Sequence, residues 1–193
     1  MSMMKITPEN TKNPSRGKIL LSEPFLSDPY FKRAAILLCE HNDDGSFGFV
    51  LNNYLDMSLD QIMSGLPKLP TRVSVGGPVN NSNLYYLHTL GNSISDSKEI
   101  ADGVYLGGDF ENLKDEISKG NVGAHQVRFF VGYSGWSANQ LEEEMEQKSW
   151  YVTDAKPEMV MNMKSENLWA EFLKSMGPEF ARMIDLPKDP NLN

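Results

Sequence analysis

Cys39, Glu40, His41 and Asn42 are consecutive and bring a thiol, a carboxylate, an imidazole and an amide within one short stretch. A thiol beside an imidazole is the pairing that activates a cysteine nucleophile, because the ring nitrogen can take the proton and leave a thiolate. The stretch reads as the end of a β-strand, where alternation puts Cys39 and His41 on one face and Glu40 on the other. Two steps along a strand separate the backbones by roughly 6 to 7 Å, so a direct hydrogen bond depends on rotamers. The competing reading is a packed, inert Cys39 with His41 capping a hairpin, the commoner fate of a free cysteine.

Other chemistry is thinner. His41, His88 and His125 are scattered, with none in a helical i, i+4 pair, so no metal is expected. Gly76-Gly77-Pro78 could let a ligand approach the backbone, as glycine-rich phosphate loops do. It lacks the lysine spacing of a P-loop and the three-glycine spacing of a dinucleotide fold, so a turn with unusual dihedrals is the better reading and no cofactor is expected. In the run from Gly132 to Glu142, Ser137 and Gln140 have the spacing of a capping box, and Trp136 with Leu141 that of a hydrophobic staple. Amides at such a helix start could meet an anion, but Glu142, Glu143, Glu144 and Glu146 satisfy the same dipole and repel one. That acidic face reads as solvated, or as a contact for a basic partner.

The elements that must position these residues follow from pattern. Residues 17–21 and 33–41 read as strands, the second forming a hairpin with 47–52 around Asn42-Asp43-Asp44-Gly45. Ser58 and Gln61 form a second capping box, with Met57 and Ile62 as staple, opening a helix of about two turns. Short strands are expected at 73–75, 84–88 and 103–107, with a polar, exposed linker over 89–102. Phe110, Leu113 and Ile117 recur at helical spacing after Asp109. Residues 127–131 form the strand leading into the Gly132 run, 150–152 and 158–163 read as strands, and a final helix from Ser165 buries Leu168, Trp169, Phe172 and Met176. Strands joined by turns too short for parallel crossovers argue for an α+β domain with a mixed, mostly antiparallel sheet and flanking helices.

The chain of 193 residues suits one domain that needs neither metal nor disulfide. Residues 1–16 read as a flexible N-terminal segment, 17–186 as the domain and 187–193 as a frayed tail. The first 18 residues are polar, contain Pro8 and Pro14, and lack the apolar stretch of a secretory signal, and no apolar run is long enough for a membrane span. With one cysteine, this points to the cytoplasm. A net charge of −8 without a basic cluster disfavours direct DNA binding.

Together, Gly17 to Leu21 with Pro24, Asp28-Pro29-Tyr30-Phe31, Leu37 to Asn42, Gly76-Gly77-Pro78, Leu87-His88, Gly132-Tyr133 with Trp136, Gln140-Leu141-Glu142 and Trp150 resemble the YqgE/AlgH family, also called UPF0301 or DUF179. The match runs from Gly17 to Gly177. The resemblance implies a bacterial protein with a strongly bent sheet folded into a pseudo-barrel. It supplies no reaction, only a label as transcriptional regulators. Two positions depart from the family pattern. Asn53 stands where relatives carry a basic or another turn residue. Asn139 stands where glycine is usual, which suits a helical first turn, since asparagine costs less there than glycine.

The leading expectation is a non-enzymatic binding or regulatory domain in which Glu40, His41, Asn42, Tyr133, Trp136 and Gln140 surround one groove. Cys39, Asn52, Gly76, Gly77 and His88 are its further candidates, and its partner is a protein or small molecule of unspecified identity. The alternatives are a hydrolase or redox enzyme using Cys39, Glu40 and His41, and a DNA-associated regulator acting through a partner. Oligomeric state is not legible.

Overall fold

The computed structural model describes residues 8–10 and 12–187. Parts of the expected N-terminal segment and tail lie outside the described residues. The strands are β1 (Lys18–Ser22), β2 (Ala35–Asn42), β3 (Gly45–Val50), β4 (Tyr54–Ser58), β5 (Arg72–Val75), β6 (Val79–His88), β7 (Lys98–Ala101), β8 (Val104–Leu106), β9 (Val127–Ser137) and β10 (Trp150–Asp154). The helices are α1 (Leu59–Ile62), α2 (Phe110–Ser118), α3 (Gln140–Glu146), α4 (Pro157–Val160), α5 (Leu168–Met176) and α6 (Pro178–Ala181). The sheet runs β10-β1-β2-β3-β9-β6-β8-β7, with β5 beside β9 and β4 beside β5. Among the described residues every pairing is antiparallel except β5 against β9, so the α+β expectation of a mixed, mostly antiparallel sheet holds.

The curl of the sheet comes from β9. Its first half pairs with β5 and β6, and its second half, from Ser134, leaves them to pair with β3. The strand was expected to stop at Val131, because glycine and aromatic residues read as a turn. Instead it continues through Gly132, whose φ of 69° bends the strand without ending it. Gly76 crosses this bend so closely that a Cβ there would lie 2.4 Å from the Gly132 carbonyl oxygen. The glycines at 76 and 77 therefore serve a backbone crossing.

Because both faces of β2 are covered, its sequence is a continuous apolar run rather than an alternation. Leu37 and Cys39 face a core closed by Trp169, Phe172 and Leu173 of α5, while Ile36 and Leu38 face a second cluster with Trp136, Leu141 and Trp150. The indole N–H of Trp169 donates to the Ser22 carbonyl at 3.0 Å, so the largest core side chain leaves no orphan donor. A third cluster packs Leu113 and Ile117 of α2 against Val73, Tyr86 and Phe129. Arg128 is fully buried at the seam, donating to the Leu51 and Val160 carbonyls and to Tyr54 and Ser74.

Several local expectations are corrected. The 89–102 linker contains β7 and buries Ile94 and Ile100, which act as isolated apolar anchors in a polar run. Residues 157–160 are helical: Pro157 sits in the first turn, where its missing N–H costs nothing. Residues 54–58, unassigned from the sequence, pair with β5. The Ser58–Gln61 capping box forms but opens only four helical residues, and Met57 is exposed rather than stapled.

Candidate functional site

The β2–β3 hairpin and the second half of β9 build the site. Leu38 pairs with Gly48 and Glu40 with Phe47, so Cys39 is the extra residue of a β-bulge. The bulge changes which side chains share a face. Glu40 and Asn42 border the same cleft as Phe47, while His41 is turned the other way, toward α3. The expectation that Cys39 and His41 share a face is thereby overturned. Cys39 has no exposed surface, and burial pushes its thiol well above the usual range. It packs as a small apolar residue.

The cleft encloses about 540 Å³. Phe47, Tyr85 and Tyr133 form its aromatic walls. The Tyr133 ring stands nearly perpendicular to both others, at 74° and 5.9 Å from Phe47 and 87° and 5.8 Å from Tyr85. Gly135 lies opposite Phe47 across the ladder, and a Cβ at Gly135 would come 3.3 Å from the Tyr133 ring. The glycine lets the ring lie back along the strand. Val79, Glu40, Asn42 and Asp44 complete the walls. Glu40 accepts from Asn42 Nδ2 and from Lys98 Nζ, each at 3.1 Å, and the Asn42 side chain accepts from the Asp44 amide at 2.9 Å, which fixes the turn.

Trp136 borders the cleft, but its indole packs in the second cluster against Phe31 and Trp150. Its N–H donates to Glu144 Oε2 at 2.9 Å, and the Trp150 N–H donates to the same oxygen at 2.7 Å. Gln140 Nε2 donates to the other oxygen at 3.0 Å. Glu144 thus faces inward as a shared acceptor, correcting the reading of the acidic run as plainly solvated; Glu142, Glu143 and Glu146 are exposed. Gln140 also accepts from the Ser137 amide at 3.0 Å, so that half of the capping box exists. Ser137, however, ends β9, and the helix starts after Asn139, whose φ is 63°. This left-handed conformation corrects the view of Asn139 as part of the helical first turn.

On the α3 side, His41 Nδ1 lies 2.7 Å from Ser46 Oγ and its Nε2 3.6 Å from Glu142 Oε1. The remaining candidates sit elsewhere. The Asn52 side chain accepts from the Ala35 amide and donates to the Arg33 carbonyl, both at 2.8 Å. His88 is buried, 3.0 Å from the Gly107 carbonyl through Nε2 and accepting from the Leu90 amide through Nδ1, and burial holds its imidazole below the ordinary value of 6.5. Gly76 and Gly77 lie behind β9 at the crossing. Sequence reasoning missed Phe47, Val79, Tyr85, Asp44 and Gly135. Alternation carried one signal: Tyr86 enters the third cluster, so its neighbour Tyr85 must face the opposite side. Among the described residues no group of three or more His, Cys, Asp or Glu side chains converges as metal ligands would.

The residue pattern of the family described as AlgH-like (DUF179) matches residues 19–181. The chain belongs to this family. UPF0301 protein CT0663 of Chlorobaculum tepidum is 41% identical over 177 residues, covering 92% of this chain and 95% of its own. A UPF0301 protein of Cytophaga hutchinsonii is 41% identical over 180 residues, covering 93% and 99%. The fold is that of the AlgH protein from Pseudomonas aeruginosa, whose solution structure matches with a TM-score of 0.71 at 23% identity, covering 93% of this chain and 98% of that one. The crystal structure of protein DIP2367 from Corynebacterium diphtheriae matches with a TM-score of 0.77 at 21% identity, covering 93% and 95%. The expected curled sheet of the AlgH-like proteins is thus present. No helix among the described residues is long and apolar enough to cross a membrane.

Proposed function

We propose that this AlgH-like chain is a recognition domain that holds a ligand in the tyrosine-lined cleft without transforming it. One observation carries the reading: three half-buried aromatic rings line an open cavity. Half-buried aromatic surface beside polar walls suits binding, because its remaining exposed area can still be removed from water. The nearest thiol is sealed in the core, which supports binding over nucleophilic catalysis by cysteine. The acidic rim disfavours a nucleic-acid backbone, so any regulatory role runs through a partner. A bacterial cytoplasmic setting goes with a single cysteine used for packing. To test the reading, aromatic resonances of the full chain are followed while fractionated metabolites from a native extract are added. Saturable shifts of Tyr85 and Tyr133 with the added compound recovered unchanged are expected. Chemical conversion of that compound, or saturable binding that leaves both rings unmoved, overturns it.

A hydrolase is the second reading, favoured by the Ser46–His41–Glu142 chain, which has the order of a nucleophile, a base and an orienting carboxylate. Ser46 borders the cleft, but it is only 9% exposed and its hydroxyl meets His41 on the α3 side. Labelling of Ser46 by a fluorophosphonate, lost in His41→Ala, would favour this reading; an unlabelled Ser46 removes it.

A further inference from the structure

We infer that the cleft takes a small organic cation of the methylated ammonium class, choline-like in its head group; this rests on the binding reading above. The ring arrangement carries the argument. Tyr133 stands edge-to-face with both Phe47 and Tyr85, so the three half-buried rings line the cleft as differently oriented walls rather than as a stack. A cation near such walls is attracted by the negative ring faces, and methyl groups on it gain apolar contact with Phe47 and Val79.

The sign of the charge follows from the rim. Glu40 and Asp44 line the cleft, and none of its lining residues is a lysine or arginine. Lys98 pairs with Glu40 at 3.1 Å, while the Asp44 carboxylate forms no ion pair among the described residues. An anionic ligand would meet uncompensated negative charge; a cation meets its complement. The choice between cations follows from desolvation. A primary ammonium entering a ring-lined cleft gives up hydrogen bonds to water that π faces do not replace, whereas a methylated ammonium has no N–H bonds to lose. The volume of about 540 Å³ is that of a small-molecule site, which favours a free metabolite over an extended peptide.

The test titrates the full chain with choline, its neutral isostere 3,3-dimethylbutan-1-ol, and a trimethyllysine peptide, reading the Tyr85 and Tyr133 ring resonances. Choline is expected to shift both rings saturably, with a Kd about tenfold below that of the alcohol. The double variant Glu40→Gln/Asp44→Asn removes the two negative charges of the rim while keeping the rings, and is expected to weaken choline severalfold while leaving the alcohol unchanged. Alcohol binding as tight as choline overturns the cation assignment while the binding reading survives. Tighter binding of the peptide overturns the small-molecule assignment in favour of a protein ligand. If choline leaves both rings unmoved, the cation assignment falls, and the binding reading then stands or falls on the metabolite fractions alone.

Discussion

The second half of β9 has two faces that differ sharply in how finished they are. On the α3 side, Trp136 packs against Phe31 and Trp150, and two indole N–H groups and an amide converge on Glu144. On the other side, Tyr133 and Gly135 contribute to a cavity that the fold leaves open. Residues one step apart in a single motif thus serve different ends. The indole and amide groups of the closed face have partners within the fold, so folding alone accounts for them.

The contrast is most easily broken by stability. Trp136→Ala removes a 5% exposed indole and is expected to cost about 3–5 kcal/mol, whereas Tyr133→Ala removes a half-buried ring and should cost about 1–2 kcal/mol. Urea titrations that return equal losses would erase the distinction. Next in size is Glu144→Ala, expected to cost about 2 kcal/mol because both indole donors lose their acceptor. Glu143→Ala and Glu146→Ala, which replace exposed side chains, should stay within about 0.5 kcal/mol. Equal effects across the three would return Glu144 to the solvated face.

Asn139 sharpens the comparison at its hinge. Asn139→Ala replaces a residue that tolerates the left-handed conformation with one that does not and should cost about 1 kcal/mol, while Asn139→Gly should cost nothing measurable in the same thermal melt. The smallest effect is in pH dependence. Burial lowers the His88 pKa, so the unfolded chain binds a proton that the folded chain refuses. Its contribution is complete above the unfolded value of 6.5 and is lost as the pH falls below it. Stability of wild type minus His88→Gln should therefore rise with pH through that region and level off above it. A flat difference would remove the buried, neutral imidazole from the account.

Much of this was legible in residues whose role is local. The β2–β3 hairpin, the α2 cap at Asp109 and the α5 apolar face were written in spacing, because each is decided by neighbours a few positions apart. The bulge at Cys39 was not, since an extra residue is defined only against the register of β3. The course of β9 through Gly132 was hidden for a related reason: the chain bends there to change partners, and glycine reads locally as a stop. Phe47, Tyr85 and Tyr133 come from three strands, and no local pattern could announce their meeting. Pro157 shows the converse: the residues after it read as a strand but instead form a turn of helix that the proline begins.

The pairing of β1 with β10 has a consequence for how the protein is made. Lys18 lies beside Asp154 and Ser22 beside Trp150, so the first described strand of the domain waits during synthesis for the last one. Until then β1 has an open edge, and β3 waits likewise for the second half of β9. A nascent chain arrested before residue 150 should therefore be sticky and protease-sensitive, and closure of the sheet becomes a late event in the synthesis of this domain.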